Sequence, residues 1–305
     1  MQATRTGVVG GGLMGVGIAL KAALAGSLTR VIEPDAQRAA RIAEVADGIL
    51  GELVEAGAIA SDAKAGAIGR LTVSHELHGL ADCDWVIEAI PEDLAAKRQL
   101  LAQVEDIVSP AAVLASNTSG FLPDTLCEAM QHPQRFLVTH FWNPPHVIAL
   151  VEVVPGSRTD AGVVQRTAQW LSAMRAQPVV LKSAIPGFIG NRLQFALLRE
   201  ALHIVRSGAA SAETVDAVMK ASLGRRYGAR GPFECADIGG LGTFLSIATH
   251  LMPTLAKDEG VLELLREQTR AGRLGLSTGK GFYDWDSGRI GKLQAIRRAQ
   301  LVNIH

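Results

Sequence analysis

Val8-Val9-Gly10-Gly11-Gly12-Leu13-Met14-Gly15 decides how the chain is read. Val8 and Val9 end a short apolar run of the kind that forms a buried strand. Gly10, Gly12 and Gly15 satisfy G-x-G-x-x-G, and Val16-Gly17-Ile18-Ala19-Leu20-Lys21-Ala22-Ala23-Leu24-Ala25 continues with helix formers. Strand, tight turn and helix in this order suit a dinucleotide. Gly10 makes the turn, Gly12 lets a pyrophosphate approach the backbone, and Gly15 lets helix and strand pack closely. Free N–H groups at the helix start, at Leu13 and Met14, face the phosphates. With 32 glycines in the chain, chance matches to the motif come easily, so the context matters. A second strand, Thr29-Arg30-Val31-Ile32, ends on Glu33, 23 residues after Gly10. That is close to the spacing of the acid that holds the adenosine ribose and repels a 2′-phosphate, which points to NAD over NADP. A signal peptide or membrane anchor fits worse. Lys21 interrupts the run, glycine-dense sequence is a poor isolated helix, and the cluster starts too near the N-terminus for a cleavable leader.

The 305 residues suffice for two domains. Thirty basic residues balance thirty acidic ones, which argues against nucleic acid or an anionic membrane as the main partner. Three scattered cysteines, Cys83, Cys127 and Cys235, form no C-x-x-C pair. They suit a reducing cytoplasm and suggest no metal site.

Residues 36–69 read as one or two surface helices, broken near Gly57 and Ser61-Asp62, with Ser61 as a plausible N-cap. Strands follow at 71–73, 84–90, 113–116, 135–139, 150–154 and 178–181, and helices at about 91–108, opened by Pro91-Glu92-Asp93, and 160–176. Alternation of strands and helices predicts a doubly wound, mostly parallel sheet of Rossmann type. At Pro186-Gly187 the pattern changes. Helical periodicity then dominates, at about 188–207, 211–222, 233–255, 258–272 and 291–302. The expected division is an α/β domain over 1–184 and an all-helical domain over 185–305, with the ligand cleft outside the carboxyl ends of the strands. Apolar stretches such as Phe195-Ala196-Leu197-Leu198 and Phe244-Leu245-Ser246-Ile247-Ala248 exceed what a small helical domain needs to bury. They predict a homodimer through that domain.

Polar residues at the ends of buried strands are the candidates for chemistry. Asn117 and Ser119 follow one strand, and His140 and Asn143 follow the next. Glu152 lies within the apolar run Leu150-Val151-Glu152-Val153-Val154, where an acid is costly unless paired. Asn191 opens the second domain. Oxidising an alcohol with a nicotinamide requires a base for the hydroxyl proton. A histidine backed by a buried carboxylate supplies one. Each residue also has an ordinary reading. His140 could cap a strand, Glu152 could pair with a surface cation, Asn117 and Asn143 suit turns, Ser119 could cap a helix, and Glu92 with Lys97 could be a helix-surface pair. Their joint placement around one glycine-loop fold favours function.

Ser116-Asn117-Thr118-Ser119, His140-Phe141-Trp142-Asn143-Pro144, Leu150-Val151-Glu152-Val153-Val154, Pro186-Gly187-Phe188-Ile189-Gly190-Asn191-Arg192 and Gly279-Lys280-Gly281-Phe282-Tyr283-Asp284 together resemble the motif series of the L-3-hydroxyacyl-CoA dehydrogenase family. The resemblance spans the chain in order. It implies an NAD-binding first domain and a helical, dimer-forming second domain. It makes His140 the general base, with Glu152 as its partner. Ser119 and Asn191 would hold the reacting part of the substrate, with Ser119 near the nicotinamide. Glu92, Lys97, Asn117 and Asn143 would line the nicotinamide half of NAD, with Glu33 on the adenosine ribose. The implied reaction is oxidation of the 3-hydroxyl of an L-3-hydroxyacyl-CoA. The family's HFFNP reads HFWNPP here, and Gly120 follows Ser119 where a second serine is common. Gly224-Arg225-Arg226-Tyr227 and Gly231-Pro232-Phe233-Glu234 resemble the branch containing lambda-crystallin, an L-gulonate 3-dehydrogenase, and L-carnitine dehydrogenase is another relative using a free 3-hydroxy acid. Lys64 and Arg70 are the only basic residues over 51–70, where a CoA tail would be gripped. A free-acid dehydrogenase and a silent crystallin-like binding protein are therefore the alternatives.

Overall fold

The computed structural model describes residues 4–257 and 259–302. The first part runs β1 (Arg5–Val9), α1 (Leu13–Leu24), β2 (Leu28–Ile32), α2 (Ala36–Glu55), α3 (Ser61–Arg70), β3 (Leu71–Ser74), β4 (Trp85–Glu88), α4 (Leu94–Ile107), β5 (Val113–Ser116), α5 (Pro123–Leu126), β6 (Phe136–Phe141), β7 (Leu150–Pro155), α6 (Ala161–Ala173) and β8 (Gln177–Val180). The strands form one sheet in the order β3-β2-β1-β4-β5-β6-β7-β8. Each neighbouring pair is parallel except β6 and β7, which are antiparallel. The order reverses between β1 and β4, the place where a doubly wound sheet opens its crevice.

Successive side chains of a strand point to opposite faces, and β1 shows what that does. Val8 joins Ile18, Leu20, Val31, Ile42, Leu50 and Leu171 on one face of the sheet. Val9 joins Ile32, Leu101, Val104, Leu114 and Phe136 on the other. A strand covered on both faces reads as a continuous apolar run, as this one does.

The chain forms two compact units. One extends through Asn191 and takes up the chain again from Gln294; the other is Arg192–Leu293. The helices after β8 are α7 (Gly190–Arg206), α8 (Ala212–Ala221), α9 (Leu223–Tyr227), α10 (Pro232–Gly239), α11 (Leu241–Leu251), α12 (Glu263–Arg270) and α13 (Ser287–Val302). Leu202, Ala256 and Val261 are the buried apolar cluster of the second unit. The Gly279–Asp284 signature folds onto α8, where Tyr283 donates its hydroxyl to Asp216 at 2.8 Å.

Several elements differ from the sequence reading. The helix expected over 233–255 is broken at Gly240, whose φ of +86° ends α10. The helix expected from 258 is α12, preceded by a 3₁₀ turn at Glu259–Leu262. Residue 258 itself lies outside the described residues. Ser61 does not cap α3: Ala60 occupies the N-cap, and no side chain bonds there. The sixth strand continues past Thr139 through Phe141, so His140 lies within it rather than after it.

Candidate active site

The glycine loop is shaped by sterics. Gly10 has φ +116°, and a Cβ there would stand 2.6 Å from the Ala89 carbonyl oxygen. A Cβ on Gly15 would stand 1.9 Å from the Gly10 carbonyl oxygen. Both positions require glycine for close packing. Gly12 differs, because a Cβ there would meet nothing within 4 Å. Its backbone borders open space at the N-terminus of α1. That helix has no side-chain cap and no acid in its first turn. The first N–H groups of a helix have no intrahelical acceptors, so this end presents unspent donors and a positive dipole end to that space. Buried Glu33 stands at the end of β2, accepting the Gly11 N–H and the Asp35 N–H, each at 3.0 Å. Exposed Arg38 pairs with it at 3.2 Å. An open cradle of amide donors beside a carboxylate fits the pyrophosphate and ribose of a dinucleotide.

The antiparallel register of β6 and β7 sets His140 directly opposite Glu152. The His140 Nδ1 and Glu152 Oε2 are 2.9 Å apart, and both residues are buried. The other carboxylate oxygen, Oε1, accepts the N–H groups of Ile189 at 2.8 Å and Gly190 at 3.0 Å. Those two amides follow directly on a left-handed pair, Gly187 and Phe188, with φ +75° and +52°. Phe188 holds that unfavourable conformation while fully buried, with its ring 5.5 Å from the His140 ring. Burial opposes ionisation of Glu152, but the His140 bond and the two amides outweigh it and hold the carboxyl below the usual carboxylate value. Against an ionised carboxylate, Nδ1 must be the donor. That leaves Nε2 of a neutral ring with its lone pair, ready to accept a proton.

A second polar group lies at the ends of β4 and β5. Asn191 at the start of α7 donates its side-chain amide to the Ser119 carbonyl at 3.1 Å. Ser119 gives both its N–H (2.8 Å) and its hydroxyl (3.2 Å) to Glu92 Oε1. The Thr118 hydroxyl donates to the same oxygen at 2.7 Å. Burial raises the Glu92 carboxyl, yet these bonds and Lys97 bring it below its ordinary value. Lys97 contacts Glu88 at 2.6 Å, Glu92 at 3.2 Å and the Ile90 carbonyl at 3.0 Å. It is 1% exposed, so its three donors are spent inside the protein and it is no surface helix pair. The Ser116 hydroxyl completes the Glu88 site. Asn117 accepts the Phe141 N–H at 2.9 Å, which ties β5 to the residue beside His140. Asn143 is exposed on the loop after β6.

Hydrogen bonds thus run from His140 through Glu152 to the Ile189–Gly190 turn, and from the adjoining Asn191 through Ser119 and Glu92 to Lys97. The glycine loop, Leu13, Met14 and Glu33 form a separate group. Glu88 and Trp142 were not singled out from the sequence. Glu88 carries the same signal as Glu152, an acid ending the apolar run Trp85-Val86-Ile87. Trp142 packs so closely on Gly190 that a Cβ there would stand 2.2 Å from its ring. Among the described residues no three His, Cys, Asp or Glu side chains converge as a metal site.

Two family models match in succession: the 3-hydroxyacyl-CoA dehydrogenase NAD binding domain over residues 5–184, and the 3-hydroxyacyl-CoA dehydrogenase C-terminal domain over 187–285. The chain belongs to the 3-hydroxyacyl-CoA dehydrogenase family. It is an NAD-dependent dehydrogenase. Within the family it is 35% identical to the 3-hydroxybutyryl-CoA dehydrogenase of Bradyrhizobium diazoefficiens, over 92% of this chain and 95% of that one. It is 37% identical to that of Mycobacterium tuberculosis, over 92% and 98%. The crystal structure of a 5-formyl-3-hydroxy-2-methylpyridine 4-carboxylic acid 5-dehydrogenase superposes with a TM-score of 0.88 at 27% identity, covering 99% of this chain and 97% of that chain.

Proposed function

We propose that this dehydrogenase oxidises the 3-hydroxyl of an L-3-hydroxyacyl-CoA, such as 3-hydroxybutyryl-CoA, to the 3-keto product, with His140 as general base. The observation that carries the reading is the His140–Glu152 pair. Its geometry leaves Nε2 as a proton acceptor and puts a buried carboxylate behind the imidazolium that forms. NAD supplies the hydride acceptor when bound. His140 takes the hydroxyl proton at Nε2, and Glu152 stabilises the resulting cation. Ser119 and Asn191 hold the reacting part of the substrate. Glu92, Asn117 and Asn143 border the nicotinamide half, Lys97 positions Glu92 from within, and Glu33 takes the adenosine ribose.

A second substrate reading rests on the region over 51–70. Its two basic residues are already engaged: Lys64 with Asp47 at 2.7 Å, and Arg70 with the Ala23 carbonyl at 3.2 Å. That segment therefore offers little charge of its own to a CoA phosphate, which favours a free hydroxy acid, and the pyridine carboxylate enzyme is named for a substrate that is not a thioester. Following NADH absorbance with acetoacetyl-CoA, then NAD reduction with L-gulonate and L-carnitine, separates the two. Turnover of acetoacetyl-CoA at micromolar KM supports the thioester. Turnover of a free acid alone replaces it. Absence of turnover with every compound, with NAD still bound, returns the protein to a silent binder.

The assembly belongs to this reading as a homodimer through the helical unit, in the cytoplasm, with the division near residue 184 separating cofactor binding from dimer formation. Phe233 at 86% exposure, Leu245 at 69% and Ile238 at 65% leave much apolar surface on a unit with a small core. Sedimentation at micromolar concentration should give twice the chain mass, and a monomer would reject the dimer.

A further inference from the structure

On the α1 side of the sheet lies a cavity of about 370 Å³, between the C-terminal half of α1, the α2–α3 connection, the end of α6 and the loop joining β6 to β7. It falls within the range of small-molecule sites, about 300–1,000 Å³. Leu53, Ile59 and Met174 give it an apolar wall, while Lys21, His146 and Arg175 give it polar groups, and no acidic residue lines it. Lys21 is 8% exposed. Its ammonium reaches the Ile148 carbonyl only at 3.5 Å, and among the described residues no carboxylate pairs with it. A buried cation without an anion is costly, and proteins seldom keep one without use. Arg175 adds a second oddity. It follows α6 with φ +55°, a left-handed position that glycine fills at least cost. An arginine there accepts strain, and it borders the same cavity.

We propose that this cavity binds a small organic carboxylate with an apolar tail. The carboxylate sits on Lys21 and Arg175, and the tail lies against Leu53, Ile59 and Met174. Burial pushes the Lys21 amine down to about 8, and a carboxylate beside it would raise it again. The loop that walls the cavity also carries Asn143 and joins the strand of His140 to that of Glu152. It packs against α1 through Pro145 on Gly17, where a Cβ would stand 2.5 Å from the proline ring. A bound carboxylate therefore touches a segment shared with the catalytic pair while remaining outside it.

Hexanoate is the probe, titrated calorimetrically into the full chain at neutral pH, with hexan-1-ol as the uncharged control. Hexanoate should bind one to one, and hexan-1-ol at least tenfold more weakly. Lys21→Met and Arg175→Gly should each lose at least tenfold in hexanoate affinity, while His140→Gln should bind as tightly as the parent. Arg175→Gly also relieves the left-handed strain, so it remains informative if Lys21→Met does not fold. Binding that persists in Lys21→Met or in Arg175→Gly, or that disappears in His140→Gln, would overturn the proposal by moving the carboxylate elsewhere, including into the active site. So would an absence of saturable binding at millimolar hexanoate.

Discussion

Replacing Glu152 with glutamine keeps the shape of the site but reverses a proton. The carboxylate accepts three hydrogen bonds: His140 Nδ1 on one oxygen, and the Ile189 and Gly190 amides on the other. A glutamine has one acceptor oxygen and one donor group, so it must choose. If its oxygen faces His140, the productive tautomer survives, but the two buried amides meet an NH₂ and lose their acceptor. At roughly 1–3 kcal/mol for each unsatisfied group, that arrangement costs about 2–6 kcal/mol. If its oxygen stays on the amides, the NH₂ donates to Nδ1 and the ring proton moves to Nε2. That costs only the choice between two neutral tautomers, so it wins. The base then carries a proton on the atom that must accept one. With about 1.4 kcal/mol per factor of ten, the productive form is about one molecule in thirty to one in 3 × 10⁴. We expect kcat of Glu152→Gln to fall by roughly that range, with NAD affinity nearly unchanged. His140→Gln should lose about 10²–10⁴, and the double variant should be little worse. Steady-state NADH absorbance reads the rates, and ¹⁵N NMR of the imidazole reads the tautomer. Near-parental kcat in Glu152→Gln, or a proton still on Nδ1, would refute the reasoning, and additive losses would mean that the two residues act separately.

Lys97→Met leaves Glu88 buried and unpaired, which costs about 3–5 kcal/mol. Thermal unfolding should drop by roughly 6–20 °C, and an unchanged midpoint would mean that the pair carries no charge. Gly190→Ala drives a Cβ into the Trp142 ring beside His140, so kcat should fall at least tenfold. Trp142→Phe in the same chain should recover most of it, and failure to recover would place the fault in the backbone instead. Lys21 has a folded-state value of about 8, below its ordinary 10.5, so the unfolded chain binds more protons between them. Its penalty, about 3 kcal/mol, is therefore in full force below pH 8 and is relieved as pH rises towards 10.5. Urea unfolding of the parent against Lys21→Met should show their stability difference closing over that window, and a constant difference would rule this out.

The local sequence determined what depends on neighbours in the chain. Two valines running into Gly10, Gly12 and Gly15 can form only a strand, a tight turn and a close-packed helix, because larger residues meet backbone at Gly10 and Gly15. Glu152 in an apolar run announced a buried partner, since an unpaired acid is too costly there. Breaks at Gly57 and Pro186-Gly187 were legible for the same local reason. The tertiary structure decided what depends on register and on space. A one-residue slip between β6 and β7 would turn Glu152 away from His140, and nothing in either strand alone excludes it. Lys97 reads equally well as a surface partner of Glu92, and only the positions of Glu88 and Ser116 beneath it make it a buried hub. Trp142 and Gly190 share a contact across 48 residues that no pattern shows. Lys21 in a glycine-rich helix reads as an interruption. It becomes a buried cation facing a cavity only when the end of α6 and the loop after β6 close around it, because desolvation is a property of the folded surroundings and not of the residue.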